Sequence, residues 1–380
     1  MDEAARVKPC ERISAMLRGR IEAGDFPSAV YAVAQGQRLR FADALGDAVR
    51  EPVRHAATLE TIYDLASLTK PLSTGLLCAL ALQRGAISLD SAVADYLPEF
   101  AREDKRRVTL RRMLTHTSGL PAWRPLYLLA PREHVLDAVA SQQLEYEPGT
   151  RVVYSDLGFI TLGLLLERLS GTSLAELARR EIFAPLELKR TYFNPDRALQ
   201  TGVAACESGG NAYERGMCET EAGAESSKVF RESLIWGEVH DGNAYFLGGA
   251  AGHAGLFSTA LETLRIAEQF LPRASRLLSA ETCALFRTNM TEGLEEARSF
   301  AWQLAATKDS TAGPRLSPDS FGHLGFTGTS CWVDPRREAI FILLTNRTHA
   351  RALPFVNINS VRREFHTLAA EALEVTGETP

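Results

Sequence analysis

The sequence contains no apolar run approaching the roughly 18 residues that a membrane-spanning helix needs. No run of lysine or arginine stands out, and the formal net charge is −5, so the sequence offers no evident electrostatic footprint for nucleic acid. The N-terminal stretch MDEAARVKPCERISAMLRGRIEAG is acidic and then amphipathic, without the apolar region of a signal peptide. The sequence therefore predicts a cytoplasmic protein that neither spans a membrane nor binds nucleic acid.

The cysteines follow no recognisable motif. Six cysteines are scattered along the chain, no CxxC spacing occurs, and several stand in apolar stretches such as LLCALAL. We therefore predict reduced, mostly buried cysteines and no thiolate metal site. His240, Asp241 and His253 invite a metal interpretation, but no further ligand follows at a metal-like spacing, so a structural role in a glycine-rich loop is favoured. We expect no metal and no cofactor.

Apolar residues make up 45% of the 380 positions, which is enough to bury a large core. Glu11 to Ala23 repeats apolar residues at helical spacing, and the next segment is typical of a β-hairpin turning at Gly36 and Gln37. Helical patterns then dominate from the apolar stretch that Gly85 ends to about residue 190. Strand patterns return in SFAWQLA, GHLGFTGTSCWVD and EAIFILLTN, before a closing helix.

Strands near both ends of the chain, with helices between them, predict an α/β fold of the α+β type. We expect one antiparallel sheet built from both termini and flanked by helices. The sheet-containing region would comprise residues 1–80 and 285–380, and residues 81–284 would form an inserted, mainly helical subdomain. Glycine, glutamate, serine and asparagine accumulate at about 191–255, where we expect a loop-rich segment over a site. A disordered insert is the alternative for its first half.

The stretch ASLTKPLSTGLL places a serine and a lysine three residues apart, where the pattern turns from strand-like to helical. Residues i and i+3 share one face of a helix, so the side chains of Ser67 and Lys70 are expected to lie close together. A serine hydroxyl becomes a nucleophile when a base takes its proton, and a lysine can be that base once its surroundings favour the neutral amine. Taken alone, this spacing is explained equally well by an ordinary helix start with Ser67 or Thr69 as N-cap.

Two further motifs follow in order. Tyr154 and Asp156 stand in PGTRVVYSDLGF, ahead of a helical pattern, and His323 and Gly325 stand in FGHLGFTGTS, on a predicted strand. The order S-x-x-K, Y-x-N and K-T-G marks the penicillin-recognising serine hydrolases. The sequence resembles the class C β-lactamase, D,D-peptidase and esterase branch of that family. The stretches MLTHTSGLP, EPGTRVVYSDLGFITLG and GGAAGHAGLFST extend the resemblance from about residue 25 to 370.

The resemblance implies a β-lactamase/transpeptidase-like fold and a role for each matching residue. Ser67 would form the acyl-enzyme with Lys70 beside it, and Tyr154 would pass a proton toward the leaving group. Whether Lys70 or Tyr154 is the base stays open. The oxyanion hole would consist of the backbone N–H groups of Ser67 and Phe326, and Gly325 would leave room for substrate along the strand edge.

The sequence departs from the class C pattern at two positions. Asp156 stands where asparagine is usual, and His323 stands where lysine is usual. An ionised aspartate only accepts hydrogen bonds, and histidine is largely neutral at pH 7, so both changes lower the positive charge available to a β-lactam carboxylate. Alternatively, Asp156 pairs with Lys70 and keeps it protonated, which would favour Tyr154 as the base.

The sequence thus predicts a serine hydrolase without metal or cofactor, acting on a small-molecule ester, amide or β-lactam-like substrate. Carboxylic esters or small amides are favoured, with weak or no β-lactamase activity. The alternatives are a cytoplasmic peptidoglycan-fragment or D-amino-acid peptidase, a genuine β-lactamase or D,D-peptidase, and a non-catalytic binding protein on the same fold. The sequence does not indicate an oligomeric state.

Overall fold

The computed structural model describes residues 7–222 and 230–376, in which the strands form two sheets. In chain order the strands are β1 (Ser28–Gln35), β2 (Arg38–Val49), β3 (His55–Ala56), β4 (Tyr63–Asp64), β5 (Tyr192–Phe193), β6 (Leu256–Ser258), β7 (Gln303–Leu304), β8 (Phe321–Leu324), β9 (Ser330–Asp334) and β10 (Ala339–Thr345). The larger sheet has the order β3-β2-β1-β10-β9-β8-β7, and the smaller has the order β4-β6-β5. All neighbouring strands in both sheets are antiparallel.

The larger sheet joins the two ends of the chain. Strand β1 pairs with β10 in a register that sets Val30 opposite Leu344 and Ala34 opposite Ile340. The N-terminal strands thus lie on one side of this junction and the C-terminal strands on the other. This arrangement confirms the predicted antiparallel sheet built from both termini.

Alternate residues of the two central strands enter two different hydrophobic cores. Val30 and Ile342 belong to one core, whereas Tyr31 and Phe341 belong to the other. Successive side chains of a strand point to opposite faces of the sheet, so a strand buried on both faces needs a nearly continuous apolar sequence. The sequence AIFILLT of β10, in which every residue is buried, meets this requirement.

Helices cover both faces of the larger sheet. In chain order the α-helices are α1 (Glu11–Ala23), α2 (Leu76–Gln83), α3 (Leu110–Leu114), α4 (Leu126–Leu129), α5 (Val135–Ala140), α6 (Asp156–Ser170), α7 (Leu174–Ala178), α8 (Ala212–Ala222), α9 (Gly242–Phe246), α10 (Ala260–Ala267), α11 (Ala280–Ala284) and α12 (Asn359–Thr376). Residues of α1 and α12 pack in the core that contains Tyr31, and residues of α2, α6 and α10 pack in the core that contains Val30. Helices α2 to α9 lie between β4 and β6 in the chain. The division into residues 1–80 with 285–380 and an inserted 81–284 stays a prediction.

Two local elements match the sequence patterns closely. Helix α1 spans the residues that the helical spacing predicted. The β1–β2 hairpin turns at Gly36 and Gln37, whose φ angles are +58° and +62°. Two consecutive left-handed residues are typical of the type I′ turn, which matches the twist of paired strands.

Two other segments differ from the sequence expectation. The segment 191–255 contains helix α8, the short helix α9 and strand β5, so its described part is more regular than predicted, while residues 223–229 lie outside the described chain. Residues Lys70–Gly75 form a π-helical segment ahead of α2. Pro71 has no N–H to donate, so this first turn cannot complete the regular α-helical ladder.

No single helix in residues 7–222 and 230–376 is long and apolar enough to cross a membrane. Helix α6 and the following residues Leu174–Phe183 pass that test only as a pair, bent by 76°.

Candidate active site

The turn that carries Ser67 follows β4 and contains a strained residue. Ala66 has a φ of +47°, which is uncommon for a residue other than glycine and is often associated with functional sites. The Asp64 carboxylate accepts the N–H of Ala66 at 2.8 Å, and the Thr69 hydroxyl donates to the Ala66 carbonyl at 2.6 Å. These bonds hold Ala66 on both sides and thereby fix the position of Ser67.

Ser67 and Lys70 lie together, as their spacing predicted. Lys70 Nζ donates a hydrogen bond of 3.0 Å to Ser67 Oγ and another of 3.1 Å to the His253 carbonyl. Ser67 belongs to a 3₁₀ turn, Ala66–Leu68, and Lys70 begins the π-helical segment, so neither stands in a regular α-helix. The i, i+3 proximity is preserved because a 3₁₀ turn, with three residues per turn, places the side chains of residues i and i+3 above each other.

A short ion pair controls the charge of Lys70. Asp156 Oδ1 lies 2.6 Å from Lys70 Nζ, in an orientation outside the angular range of a hydrogen bond. Burial alone would lower the pKa of Lys70, but Asp156 and Tyr154 outweigh it, and the pKa of Lys70 is raised above its ordinary value. The contact favours the ammonium form of Lys70, as in the alternative in which Asp156 pairs with it, and the choice of Tyr154 as the base stays a prediction.

Tyr154 lies immediately before α6 and beside the lysine. Its ring centroid is 4.8 Å from Lys70 Nζ, and its phenol interacts with the side chains of Lys70 and Ser67. Burial raises the pKa of Tyr154, and Lys70 opposes part of that rise. The phenol therefore keeps its proton at neutral pH while sitting between the serine and the ammonium group.

The ring of His116 packs against the ring of Tyr154, a contact that the sequence did not indicate. The two ring centroids are 4.5 Å apart, and His116 Nδ1 accepts the N–H of Ser155 at 3.0 Å. Ser155 is the N-cap of α6, and its side chain accepts the N–H of Gly158. The chain turns at His116, where φ is +58°, and this turn also positions the tyrosine.

His323 lies on β8 with its ring 5.7 Å from that of Tyr154. Its Nδ1 is 2.9 Å from the Leu324 carbonyl oxygen, which only accepts, so Nδ1 carries the proton. Burial lowers the pKa of His323 well below its usual range, and the positive charges of Lys70 and Arg298 add to this. His323 is therefore a neutral imidazole, as expected for this departure from lysine.

The end of β8 packs directly against the turn that carries Ser67. A Cβ atom on Gly325 would lie 2.0 Å from Thr329 Oγ1 and 2.5 Å from the Leu65 carbonyl oxygen, so only glycine fits there. Gly325 also lines the cavity that contains Ser67, and a substrate lying along this strand edge stays a prediction. The backbone N–H groups of Ser67 and Phe326 donate to no acceptor in the described ranges, as a pair of oxyanion donors requires.

A cavity of about 420 Å³ opens onto Ser67, Tyr154 and the β8 edge. Three arginines that the sequence did not single out line it: Arg298, Arg347 and Arg362. Arg298 is neutralised by Glu296, whose carboxylate lies 2.7 Å away.

The other two arginines have no acidic partner within 4.0 Å in the described part of the chain. Arg347 donates to the Phe326 carbonyl at 2.6 Å, and Arg362 donates to the Gly325 carbonyl at 2.6 Å. Burial, with a contribution from Arg347, lowers the pKa of Arg362 to about 9, and burial also lowers the pKa of Arg347. Both remain cations at neutral pH, so the expected loss of positive charge applies to Asp156 and His323 but not to the cavity as a whole.

A second cavity of about 240 Å³ meets the first at Ser67, Tyr154 and Phe326. Its walls come from α8 and the segment before α9, and they include Tyr213, Met217, Glu214 and Asp241. The described part of the segment 191–255 therefore borders the site, as expected. Burial and the neighbouring Asp241 raise the pKa of Glu214 to about 7.

The histidines considered for a metal make hydrogen bonds to carboxylates. His253 Nε2 lies 2.8 Å from Asp241, and His240 Nε2 lies 2.8 Å from Glu207. Within the described ranges, no group of three or more His, Cys, Asp or Glu residues is arranged to hold a metal ion. The six cysteines form no disulfide bond with one another, and all but Cys10 are buried.

Comparison with known proteins agrees with this geometry. The Beta-lactamase family model matches residues 13–360. A protein of Escherichia coli (strain K12) named "Putative D-alanyl-D-alanine carboxypeptidase" is 32% identical over 80% of this chain and 72% of its own. A protein of Bacillus subtilis (strain 168) named N-acetylmuramyl-L-alanine amidase is 30% identical over 90% of this chain and 82% of its own.

Solved structures show the same fold. The hydrolase EstCE1, described as having promiscuous acyltransferase activity, superimposes with a TM-score of 0.71 at 23% identity, covering 94% of this chain and 97% of its own. A class C β-lactamase from Rhodobacter sphaeroides superimposes with a TM-score of 0.70 at 21% identity, covering 97% of this chain and 100% of its own. The chain belongs to the β-lactamase family and is a serine hydrolase of the β-lactamase, D,D-peptidase and esterase type.

Proposed function

We propose that this protein hydrolyses a small peptide through an acyl-enzyme at Ser67, and that the leaving group carries a carboxylate. The relatives named as a D-alanyl-D-alanine carboxypeptidase and a muramyl amidase favour peptidoglycan-type fragments as substrates. The ester or small-amide cleavage favoured by the sequence uses the same machinery, and weak β-lactamase activity stays a prediction. The cytoplasmic location also stays a prediction, to be tested by fractionating the native cells.

The observation that carries this proposal is the pair of arginines beside the nucleophile. Arg347 and Arg362 line the cavity that contains Ser67, and their bonds within 7–222 and 230–376 go to neutral oxygen atoms. Burying cations without counter-charges is costly, and a carboxylate in the cavity would relieve that cost. A substrate without a negative charge gains nothing from this arrangement.

The hydrogen-bond directions favour Tyr154 as the group that takes the serine proton. Protonated Lys70 donates to Ser67 Oγ, so the serine's own hydrogen is available for the phenol oxygen. As Oγ forms a bond to the substrate carbonyl carbon, the serine proton passes to the Tyr154 oxygen while Tyr154 passes its own proton to the leaving nitrogen, so the phenol never carries two protons. The bond between the protonated nitrogen and the carbonyl carbon then breaks, and the amine leaves.

The charge that develops on the carbonyl oxygen would be stabilised by the free N–H groups of Ser67 and Phe326. A water molecule then attacks the acyl carbon, and its proton returns through Tyr154 to Ser67. This releases the acid product and restores the enzyme. The Lys70 ammonium, held by Asp156, stabilises negative charge on Ser67 and Tyr154 throughout the cycle.

A matched pair of substrates tests the carboxylate. We expect N-acetyl-D-alanyl-D-alanine to be hydrolysed with a higher kcat/KM than the same peptide with its C-terminal carboxyl amidated. A charge-assisted hydrogen bond contributes about 1.5 to 3 kcal/mol, which corresponds to roughly tenfold to hundredfold in rate. Arg347→Gln should lower kcat/KM for the free acid by that factor and leave the amidated peptide nearly unchanged.

Arg106→Gln is the control, because Arg106 is exposed and its one ion pair among the described residues is with Glu103. Equal rates on both peptides in the wild type, or turnover of nitrophenyl esters alone, would refute the peptide assignment. Ester turnover without peptide turnover would support the simple esterase that the sequence favoured.

A further inference from the structure

The neutral His323 presents a hydrogen-bond acceptor that nothing in the described protein uses. Because Nδ1 donates to the Leu324 carbonyl, Nε2 carries a lone pair and no hydrogen. This Nε2 is buried and has no hydrogen-bond partner among the described residues, and the whole residue is 5% exposed. A buried acceptor without a partner is costly, so such an atom in an active site indicates a donor on the substrate.

The position of His323 indicates which group of the substrate would donate a hydrogen bond to Nε2. The ring lines the arginine-bearing cavity and lies beside Tyr154, which delivers the proton to the leaving group in the proposed mechanism. In an amide, the leaving nitrogen is the atom that Tyr154 protonates, and it also carries a hydrogen of its own. This N–H is the hydrogen-bond donor that an amide substrate would bring beside Tyr154 and therefore beside the neighbouring His323.

We propose that His323 accepts a hydrogen bond from the N–H of the scissile amide and so selects amides over the corresponding esters. This inference rests on the proposed function, since it concerns the leaving group of the same reaction. A lysine at this position would be a donor and could not make the bond. An ester presents an oxygen in place of the N–H, so it leaves Nε2 unpaired and places two lone pairs against each other.

The test compares amide and ester substrates that share one acyl group. The first pair is N-acetyl-D-alanyl-D-alanine and its analogue with D-lactate as leaving group, and the second is a nitroanilide and a nitrophenyl ester of the same acyl residue. For each pair, kcat/KM is measured in the wild type, His323→Leu and His323→Gln. Leucine removes the acceptor, whereas glutamine keeps an uncharged side chain with an acceptor oxygen.

We expect His323→Leu to lower amide hydrolysis tenfold to hundredfold more than ester hydrolysis, and His323→Gln to recover part of that difference. Unfolding curves of the variants show whether a loss of activity comes from a loss of folded protein, and the amide-to-ester ratio is independent of the folded fraction.

Equal losses on amide and ester would overturn the inference, because a purely structural role affects both substrates alike. Turnover of both esters with no measurable turnover of either amide would overturn it as well. If the peptide pair is inert but the anilide pair shows the expected ratio, the inference stands and the proposed peptide substrate is refuted.

Discussion

Replacing Asp156 with asparagine tests the electrostatic account of the site, because it removes the counter-charge of a buried lysine. Lys70 is 0% exposed and the Asp156 side chain is 19% exposed, with Nζ and Oδ1 2.6 Å apart. At an effective dielectric constant of about 20, unit charges roughly 4 Å apart interact by about 4 kcal/mol. Solvent contact at Asp156 reduces this value, so Asp156→Asn should lower the free energy of unfolding at pH 7 by about 2 kcal/mol.

The pH dependence of that loss has a defined sign. In the wild type the folded pKa of Lys70 lies above its unfolded value near 10.5, so its contribution is complete below that value and is lost as the pH rises through the folded pKa. In Asp156→Asn, burial is no longer opposed by Asp156, and the folded pKa falls below the unfolded one. The variant therefore gains stability as the pH rises toward 10, and its deficit relative to wild type narrows.

Urea unfolding of both proteins between pH 6 and pH 10, with exposed Asp137→Asn as the control, measures this deficit. A deficit that is absent at pH 7, or that is constant with pH, would refute the ion pair as the source of Lys70's charge. In the same variant Lys70 should lose its proton at a lower pH. The decline of the acylation rate at alkaline pH should therefore also begin at a lower pH.

Three substitutions test how the site is held. Asp64→Ala leaves two buried N–H groups without an acceptor, so the free energy of unfolding should fall by about 2 to 4 kcal/mol, and an unchanged urea midpoint would contradict this. His116→Phe keeps the ring beside Tyr154 but leaves the N–H of Ser155 unpaired, so thermal stability should fall by about 1 to 3 kcal/mol together with kcat; a fully active, equally stable variant would argue against it. Gly325→Ala forces a Cβ atom against the Leu65 carbonyl oxygen and should slow the labelling of Ser67 by a fluorophosphonate. The control is Gly216→Ala in α8, where the space around the residue is open, and this substitution should stabilise the protein by up to about 1 kcal/mol.

The local part of the site was predictable because it depends on spacing along one segment. Ser67 and Lys70 are three residues apart, and any right-handed helical turn brings such side chains together. The pairing of Asp156 with Lys70 followed from chemistry, since the carboxylate replaces an asparagine next to a buried cation. The sheet built from both termini followed from the order of strand and helix patterns.

The distant part of the site could not be found in this way. Arg347 follows β10 and Arg362 lies in α12, and only the packing of these elements against β8 brings them beside Ser67. The role of His116 could not be predicted, because its contact with Tyr154 depends on a fold that local patterns do not specify. Helix α8 was missed because its sequence, AYERGMCETEA, carries few apolar residues at helical spacing.

The central claim, an acyl-enzyme on Ser67, is tested most directly by intact-protein mass spectrometry during turnover. The wild type, quenched in acid while hydrolysing a nitrophenyl ester or the D-alanyl peptide, should show a mass increase equal to the acyl group, and peptide mapping should place it on Ser67. Ser67→Ala should show no adduct and lose roughly 10⁴-fold or more in rate while keeping its circular dichroism spectrum. An adduct on another residue, or wild-type turnover in folded Ser67→Ala, would contradict the account.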